Sequence, residues 1–249
     1  MQRHYFSSIR IILALAGLLL PSSPSPAGAD TQIFPVPSVS TSKNDGNDAG
    51  LIAPILISDP DGELKYLMAP MLIQNSIVGS RAVFNLFKYD PGGRQMKLIA
   101  SLTEKIERKV LFDYVDPAFG NGQYFLNFGG TFFKNATSRF FGLGQSTVQA
   151  GESNYTAREA RAYWRLGLYA NEVRQVSVGQ RVRQVQLQRG ATDLPFSVEQ
   201  FPTVDGIQGE SIIVGHRASF YYDTRDSLIT PTDGMSVMAY AELNQNVKN

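Results

Sequence analysis

Residues Ser211 to Leu243 read SIIVGHRASFYYDTRDSLITPTDGMSVMAYAEL, two alternating runs joined by a polar turn that carries Asp226, Pro231 and Gly234. In the first run Ile212, Val214, Ala218, Phe220 and Tyr222 share one face. Gly215, Arg217, Ser219, Tyr221, Asp223 and Arg225 share the other, which is the period of a strand. In the second, Met235, Val237, Ala239, Ala241 and Leu243 alternate with Ser236, Met238, Tyr240 and Glu242. The stretch therefore predicts a β-hairpin with one apolar and one polar side. Alternation alone fits a half-exposed soluble sandwich as well as a membrane barrel.

Working outward, the chain from Gly50 is a succession of runs about ten residues long, the length a tilted strand needs to cross a bilayer. Strands are expected near 50–57, 63–74, 80–90, 94–104, 107–115, 122–133, 158–170, 173–187, 211–224 and 235–243. Asp59-Pro60-Asp61-Gly62, Asp90-Pro91-Gly92-Gly93 and Asp116-Pro117 with Gly120-Asn121-Gly122 mark turns between them. Tyr124, Leu126, Phe128, Gly130 and Phe132 oppose Gln123, Asn127, Gly129 and Thr131. Ala160, Ala162, Trp164, Leu166 and Leu168 oppose Glu159, Arg161, Tyr163 and Arg165. The run from 173 changes phase after Val182, where Arg183 is followed by Val185 and Leu187, so a β-bulge or a misplaced strand is expected there.

Composition agrees with an all-β chain, since 22 Gly, 15 Phe and 11 Tyr stand against one Trp. The lack of cysteine excludes a disulfide scaffold, a thiolate metal site and a lipid-anchoring cysteine. Arg3 and Arg10 without an acid, the apolar run Ile11–Leu20 and the Ala27-Gly28-Ala29 site before Asp30 read as a secretory signal over 1–29, cleaved between Ala29 and Asp30. The apolar run is too short for a spanning helix, which needs ~20 residues. Without the signal the chain holds one more acidic than basic residue, which argues against a nucleic-acid partner. Residues 30–49, rich in Pro, Ser, Asn and Asp, read as an exposed periplasmic lead-in. Residues 50–249 are expected to carry the strands.

Tyr222-Asp223-Thr224-Arg225-Asp226 followed by Pro231-Thr232-Asp233-Gly234 resembles the YDTRD and PxxG turn of the bacterial surface-antigen family, the BamA/TamA-like outer-membrane barrels. Arg139 to Gly144 (RFFGLG) with Tyr155 and Thr156 resembles a second segment that precedes this hairpin in the same family. The resemblance runs from about Phe34 to Leu243. It implies an antiparallel transmembrane β-barrel in the bacterial outer membrane, in contact with outer-membrane lipids and with other outer-membrane proteins as possible clients. Assembly or translocation of those proteins is the implied role. A passive channel or surface scaffold is the alternative, and an outer-membrane lipase a third. The lead-in is too short for the POTRA modules that many of these barrels carry. About ten strands, and an end without a terminal aromatic, lead to the expectation of an incomplete barrel.

In such barrels short turns face the periplasm and long loops face outward. Lys134–Ala157 and Gln188–Glu210 are long and two strands apart, so they share a side, and Asp226–Gly234 falls on the other. Six strands before Lys134 break this parity, and the weak first one is expected to drop out. No cofactor or metal site is read. His216 is the one histidine beyond the signal and lies on the apolar face, where a packing or interfacial role is expected rather than a catalytic one. Asp223 and Asp226 flank Arg225 and read as a structural ion-pair and capping cluster, not as paired acid-base carboxylates. Charges facing lipid cost ~2–4 kcal/mol at the midplane, so Glu159, Arg161, Arg165, Arg181, Arg217, Asp223, Arg225 and Glu242 imply a hydrated lumen. Most of them are expected to hold strands in register.

Overall fold

The computed structural model describes residues 30–248 except 146, 172, 205, 228 and 229. The expected export signal, Ala29 included, lies outside the described residues. Asp30 is described, and its carbonyl accepts the Ser58 amide at 2.9 Å.

The strands are β1 (Thr31–Ile33), β2 (Val36–Ser42), β3 (Gly46–Ile52), β4 (Ile55–Ser58), β5 (Leu64–Met68), β6 (Met71–Asn75), β7 (Gly79–Tyr89), β8 (Gln95–Thr103), β9 (Arg108–Phe119), β10 (Tyr124–Phe140), β11 (Ser153–Asn171), β12 (Arg174–Arg189), β13 (Glu210–Asp223) and β14 (Ser236–Lys248). One short helix, α1 (Ser197–Gln200), interrupts the segment between β12 and β13. All 14 strands join one antiparallel sheet, with β1 and β2 along one edge and β14 along the other. No helix among the described residues is long and apolar enough to cross a membrane.

Three pairs of strands are single rungs broken by proline. Phe34-Pro35 separates β1 from β2, Ala53-Pro54 separates β3 from β4, and Ala69-Pro70 separates β5 from β6. Proline has no N–H to give the ladder, yet Phe34 N–H reaches Pro54 O at 2.9 Å and Ala53 N–H reaches Pro70 O at 3.0 Å. The register is the same on both sides, with Ile33 opposite Ile55 and Val36 opposite Ile52. Merging these three pairs turns 14 strands into eleven rungs.

Two expectations change as a result. Residues 30–49 do not form an irregular lead-in, because β1, β2 and the start of β3 run through them. The polar and proline-rich composition hid the strand, since Ser38 and Ser40 face Gly50 and Asp48 rather than an apolar neighbour. Parity is restored by this added rung, not by losing the first expected strand. Seven rungs now precede the long 141–152 segment. A third expectation also fails. The β11–β12 register runs without interruption from Thr156 opposite Gln188 to Tyr169 opposite Gln175, so no bulge sits at Val182. The phase change is one of polarity, not of backbone. Arg183, Val185 and Leu187 stay on the face that Arg181 occupies.

One face of the sheet carries the exposed large apolar residues, among them Val110, Phe128, Trp164, Leu168, Val178, Phe220 and Leu243. Side chains on the opposite face reach one another over an intervening strand, as Arg181 of β12 does to Glu242 of β14. That polar face is the concave one. The curl is tight enough for Thr137 of β10 to donate its hydroxyl to Asp45, in the turn between β2 and β3, at 2.6 Å.

β11 has 19 residues, roughly 60 Å at ~3.3 Å per residue, about twice the thickness of a hydrocarbon core. Its upper part is covered by residues 190–201. Asn154 N–H bonds to Pro195 O at 2.9 Å, its side chain donates to Ser138 O at 2.7 Å, and the hydroxyls of Ser153 and Ser197 meet at 2.8 Å. Phe201 stacks edge-on against Phe140 of the RFFGLG segment, ring centres 5.0 Å apart. These contacts bury Ser153, Asn154 and Thr156.

Candidate functional site

The concave face of β11–β14 collects most of the charges singled out in the sequence into two clusters. Glu159, 3 % exposed, accepts hydrogen bonds from Arg161 at 2.8 Å and Arg183 at 2.5 Å. Glu242 accepts from Arg181 at 2.5 Å and from Arg217 at 2.7 Å. Each carboxylate is held between two guanidinium groups, the arrangement a partly buried acid needs to remain charged. Arg217 also lies over the Tyr240 ring at 4.5 Å. Arg165 stands apart from both clusters, with its guanidinium 4.8 Å above the Phe125 ring.

Side chains reach over a neighbouring strand where the residue between them is glycine. Gly129 of β10 lies opposite both Asp113 of β9 and Tyr163 of β11. A Cβ there would come within 2.7 Å of the Tyr163 hydroxyl. The tyrosine instead lies across the gap and donates to Asp113, which also receives Asn127 at 2.9 Å. Gly215 serves Arg181 in the same way, with a would-be Cβ 3.0 Å from Arg181 Nε. A hollow of about 280 Å³ results, lined by Asn127, Arg161, Arg165, Arg181, Arg217 and Glu242.

Sequence reasoning missed Arg183, Asp113 and Tyr163 as cluster members, although strict alternation from Arg181 would have found Arg183. It also missed the Asp48–Arg81–Glu107 triad at the other end of the sheet, with contacts of 3.5 and 2.9 Å. Its members lie far apart in sequence, and only the curl brings them together.

At the opposite end of β13 the turn residues form a third cluster. Asp223 accepts from Arg225 Nε at 2.9 Å, from the Arg225 amide at 3.0 Å and from the Tyr221 hydroxyl at 2.5 Å. Ser236 of β14 donates to that same hydroxyl at 3.1 Å. The tyrosine in the cluster is thus Tyr221. Tyr222, the first residue of the turn motif, is on the opposite face, across from Val237, where the alternation of the run places it. Thr224 and Met235 exchange backbone and hydroxyl bonds at 2.9 and 3.0 Å. Asp226 caps the loop, accepting from Thr232 N–H at 3.0 Å, Thr232 hydroxyl at 2.5 Å and Asp233 N–H at 3.2 Å. These bonds, the Thr232 hydroxyl first, lower the Asp226 pKa to about 2. Pro231 precedes this capping pair, and Gly234 closes the loop at φ +90°, where a Cβ would lie 2.2 Å from Thr224 O. Only glycine fits both conditions. Asp223 and Asp226 therefore have separate partner sets.

His216 lies on the apolar face. Its Nδ1 pairs with Gln180 Nε2 at 3.0 Å, and Gln180 Oε1 accepts from the Trp164 indole at 3.2 Å. Among the described residues no serine hydroxyl or carboxylate bonds to the ring, so a Ser-His-acid triad is not assembled there. Nor do three or more His, Cys, Asp or Glu side chains among the described residues gather as a metal site.

The sheet is thus open and antiparallel, apolar on its convex face and charged on its concave one. A profile of the Omp85 superfamily domain matches residues 92–248, which takes in every strand from β8 to β14. The chain belongs to the Omp85 superfamily. It is a bacterial outer-membrane β-barrel protein of that assembly and translocation family, in keeping with the surface-antigen resemblance of its turn motif. The Omp85 match covers both charge clusters on β11–β14 and the Asp223–Gly234 turn. No curated protein matches the chain.

Proposed function

We propose that this Omp85 chain acts in the assembly or translocation of other outer-membrane proteins. The observation that carries the reading is the superfamily match over the strands that bear the charged concave face. In this reading Glu159, Arg161, Arg165, Arg181, Arg217 and Glu242 line a hydrated interior, and the ion pairs among them hold its wall in register. The turn cluster of Asp223, Thr224, Arg225, Asp226, Pro231 and Gly234 fixes the periplasmic end of the β13–β14 hairpin. Residues 1–29 direct export, with cleavage between Ala29 and Asp30. The role is non-enzymatic, and its partners are membrane lipids and client barrel proteins.

Depletion of the protein tests the reading. The expected result is a fall in folded, heat-modifiable outer-membrane proteins and a build-up of their unfolded forms in the periplasm. The hollow rich in arginine favours a second reading, a passive channel. Unchanged barrel assembly on depletion, together with ion conductance by the purified protein in planar bilayers, would select the channel.

A further inference from the structure

On the convex face a row of three basic residues crosses β9, β10 and β11. Lys134 lies directly opposite Arg108 on one side and Arg158 on the other. Like charges placed opposite one another destabilise a sheet, so the row calls for an anion. Among the described residues none of the three forms an ion pair. Arg108 is held by backbone carbonyls, donating to Thr103 O and Glu107 O at 2.7 Å each. Arg158 rests 5.9 Å from the Phe132 ring. Glu210, the nearest acid along the same row beyond Gln186, is bonded to Lys248 at 2.5 Å and meets the charge of Arg158 only at longer range, without an ion pair.

The level of the row identifies what it meets. Next below Arg108, Lys134 and Arg158 on the same face come Val110, Phe132 and Ala160, and the outward residues continue apolar to Tyr114, Tyr124 and Leu168. On β10 and β11 that band spans nine residues, 124–132 and 160–168, enough for one tilted crossing. The cations thus stand at the upper edge of the lipid-facing band, on the side of the long 141–152 and 190–209 segments, where headgroups lie above the acyl chains.

We propose that Arg108, Lys134 and Arg158 form a binding site for the phosphate of a lipid headgroup in the leaflet on the long-loop side. Guanidinium groups pair with phosphate in a two-pronged geometry and the ammonium adds a point charge. The lipid's acyl chains lie along Val110, Phe132 and Ala160 beneath. The site does not depend on the proposed role in assembly.

The test is native mass spectrometry of the full-length protein extracted in detergent and titrated with diphosphoryl lipid A. At about five-fold per basic residue near a membrane surface, the triple variant R108Q/K134Q/R158Q should bind roughly a hundred-fold more weakly. Single variants should each lose about five-fold, and the charge-keeping K134R should bind as the parent does. K109Q, which removes a cation from the other face of β9, should leave binding intact. Heat-modifiable mobility confirms folding of each variant, and the single variants carry the test if the triple one fails to fold. Undiminished binding by every folded glutamine variant would overturn the site. Equal binding of a lipid without phosphate would overturn the phosphate assignment, and full competition by inorganic phosphate would overturn the lipid.

Discussion

Asp226 shows how one side chain organises a turn of the Omp85 chain. Its carboxylate spans the loop to the Thr232 hydroxyl and to two amides, and those bonds favour the charged form. The folded chain therefore binds a proton at Asp226 less tightly than the unfolded chain does, with a pKa of about 2 against an ordinary 3.8. By linkage, the stabilisation is fully present above the unfolded value and is lost as pH falls through the folded one. Protection of the Thr232 and Asp233 amides from hydrogen exchange should hold from about pH 5 down to about pH 4 and collapse towards about pH 2. In Asp226→Asn the protection should be lower throughout and nearly flat over that range. An unchanged pH profile in the variant would remove Asp226 from this role. The turn was legible in the sequence because aspartate, proline and glycine have turn chemistry of their own. Alternation also put Tyr221 on the face of Asp223 and Arg225, but the bonds that join the three were not legible, because alternation gives each residue a face and no partner.

At the scale of the element, β12 shows a strand passing from one medium to another. Val176, Val178 and Val182 face outward in its lower part, and Gln184, Gln186 and Gln188 do so above. The backbone keeps its period of two throughout. What changes is the surroundings of the convex face, lipid below and water or covering segments above. Val178→Arg should therefore cost ~2–4 kcal/mol, and Gln186→Arg ~0–1 kcal/mol. Urea unfolding of the protein refolded into phospholipid vesicles would measure both. Equal costs would mean that the boundary is misplaced. The inversion looked like a bulge in the sequence because polarity was taken as a proxy for the face, which holds only while the medium is constant. Strands β1 and β2 were missed for a related reason. With Ser38 and Ser40 on one face and Pro37 on the other, polarity carries little trace of the pairing that β3 imposes.

At the scale of the molecule, the curl of the sheet joins its first hairpin to β10 through Asp45 and Thr137, which is 2 % exposed. A hydrogen bond to a charged acceptor contributes up to ~1.5–3 kcal/mol, less where the acceptor is exposed as Asp45 is. In a double-mutant cycle, Asp45→Ala and Thr137→Val should couple by ~0.5–3 kcal/mol in unfolding free energy. Additive effects would show that the hairpin and β10 stabilise the sheet separately. The Asp48–Arg81–Glu107 triad and the Tyr163–Asp113 bond also depend on curvature, since each crosses an intervening strand.

The sequence by itself determined that the chain is built of strands, which residues share a face, and where Asp226, Pro231 and Gly234 turn it. These follow from the two-residue period of a strand and from local backbone chemistry. Only the tertiary structure decided which guanidinium meets which carboxylate. A period of two fixes the side a residue takes but not its opposite number, which depends on register and on the curl that carries Arg181 over Gly215 to Glu242. The basic row of Arg108, Lys134 and Arg158 was hidden for the same reason. Its members are 26 and 24 residues apart in sequence, and hydrogen-bonded register alone places them side by side.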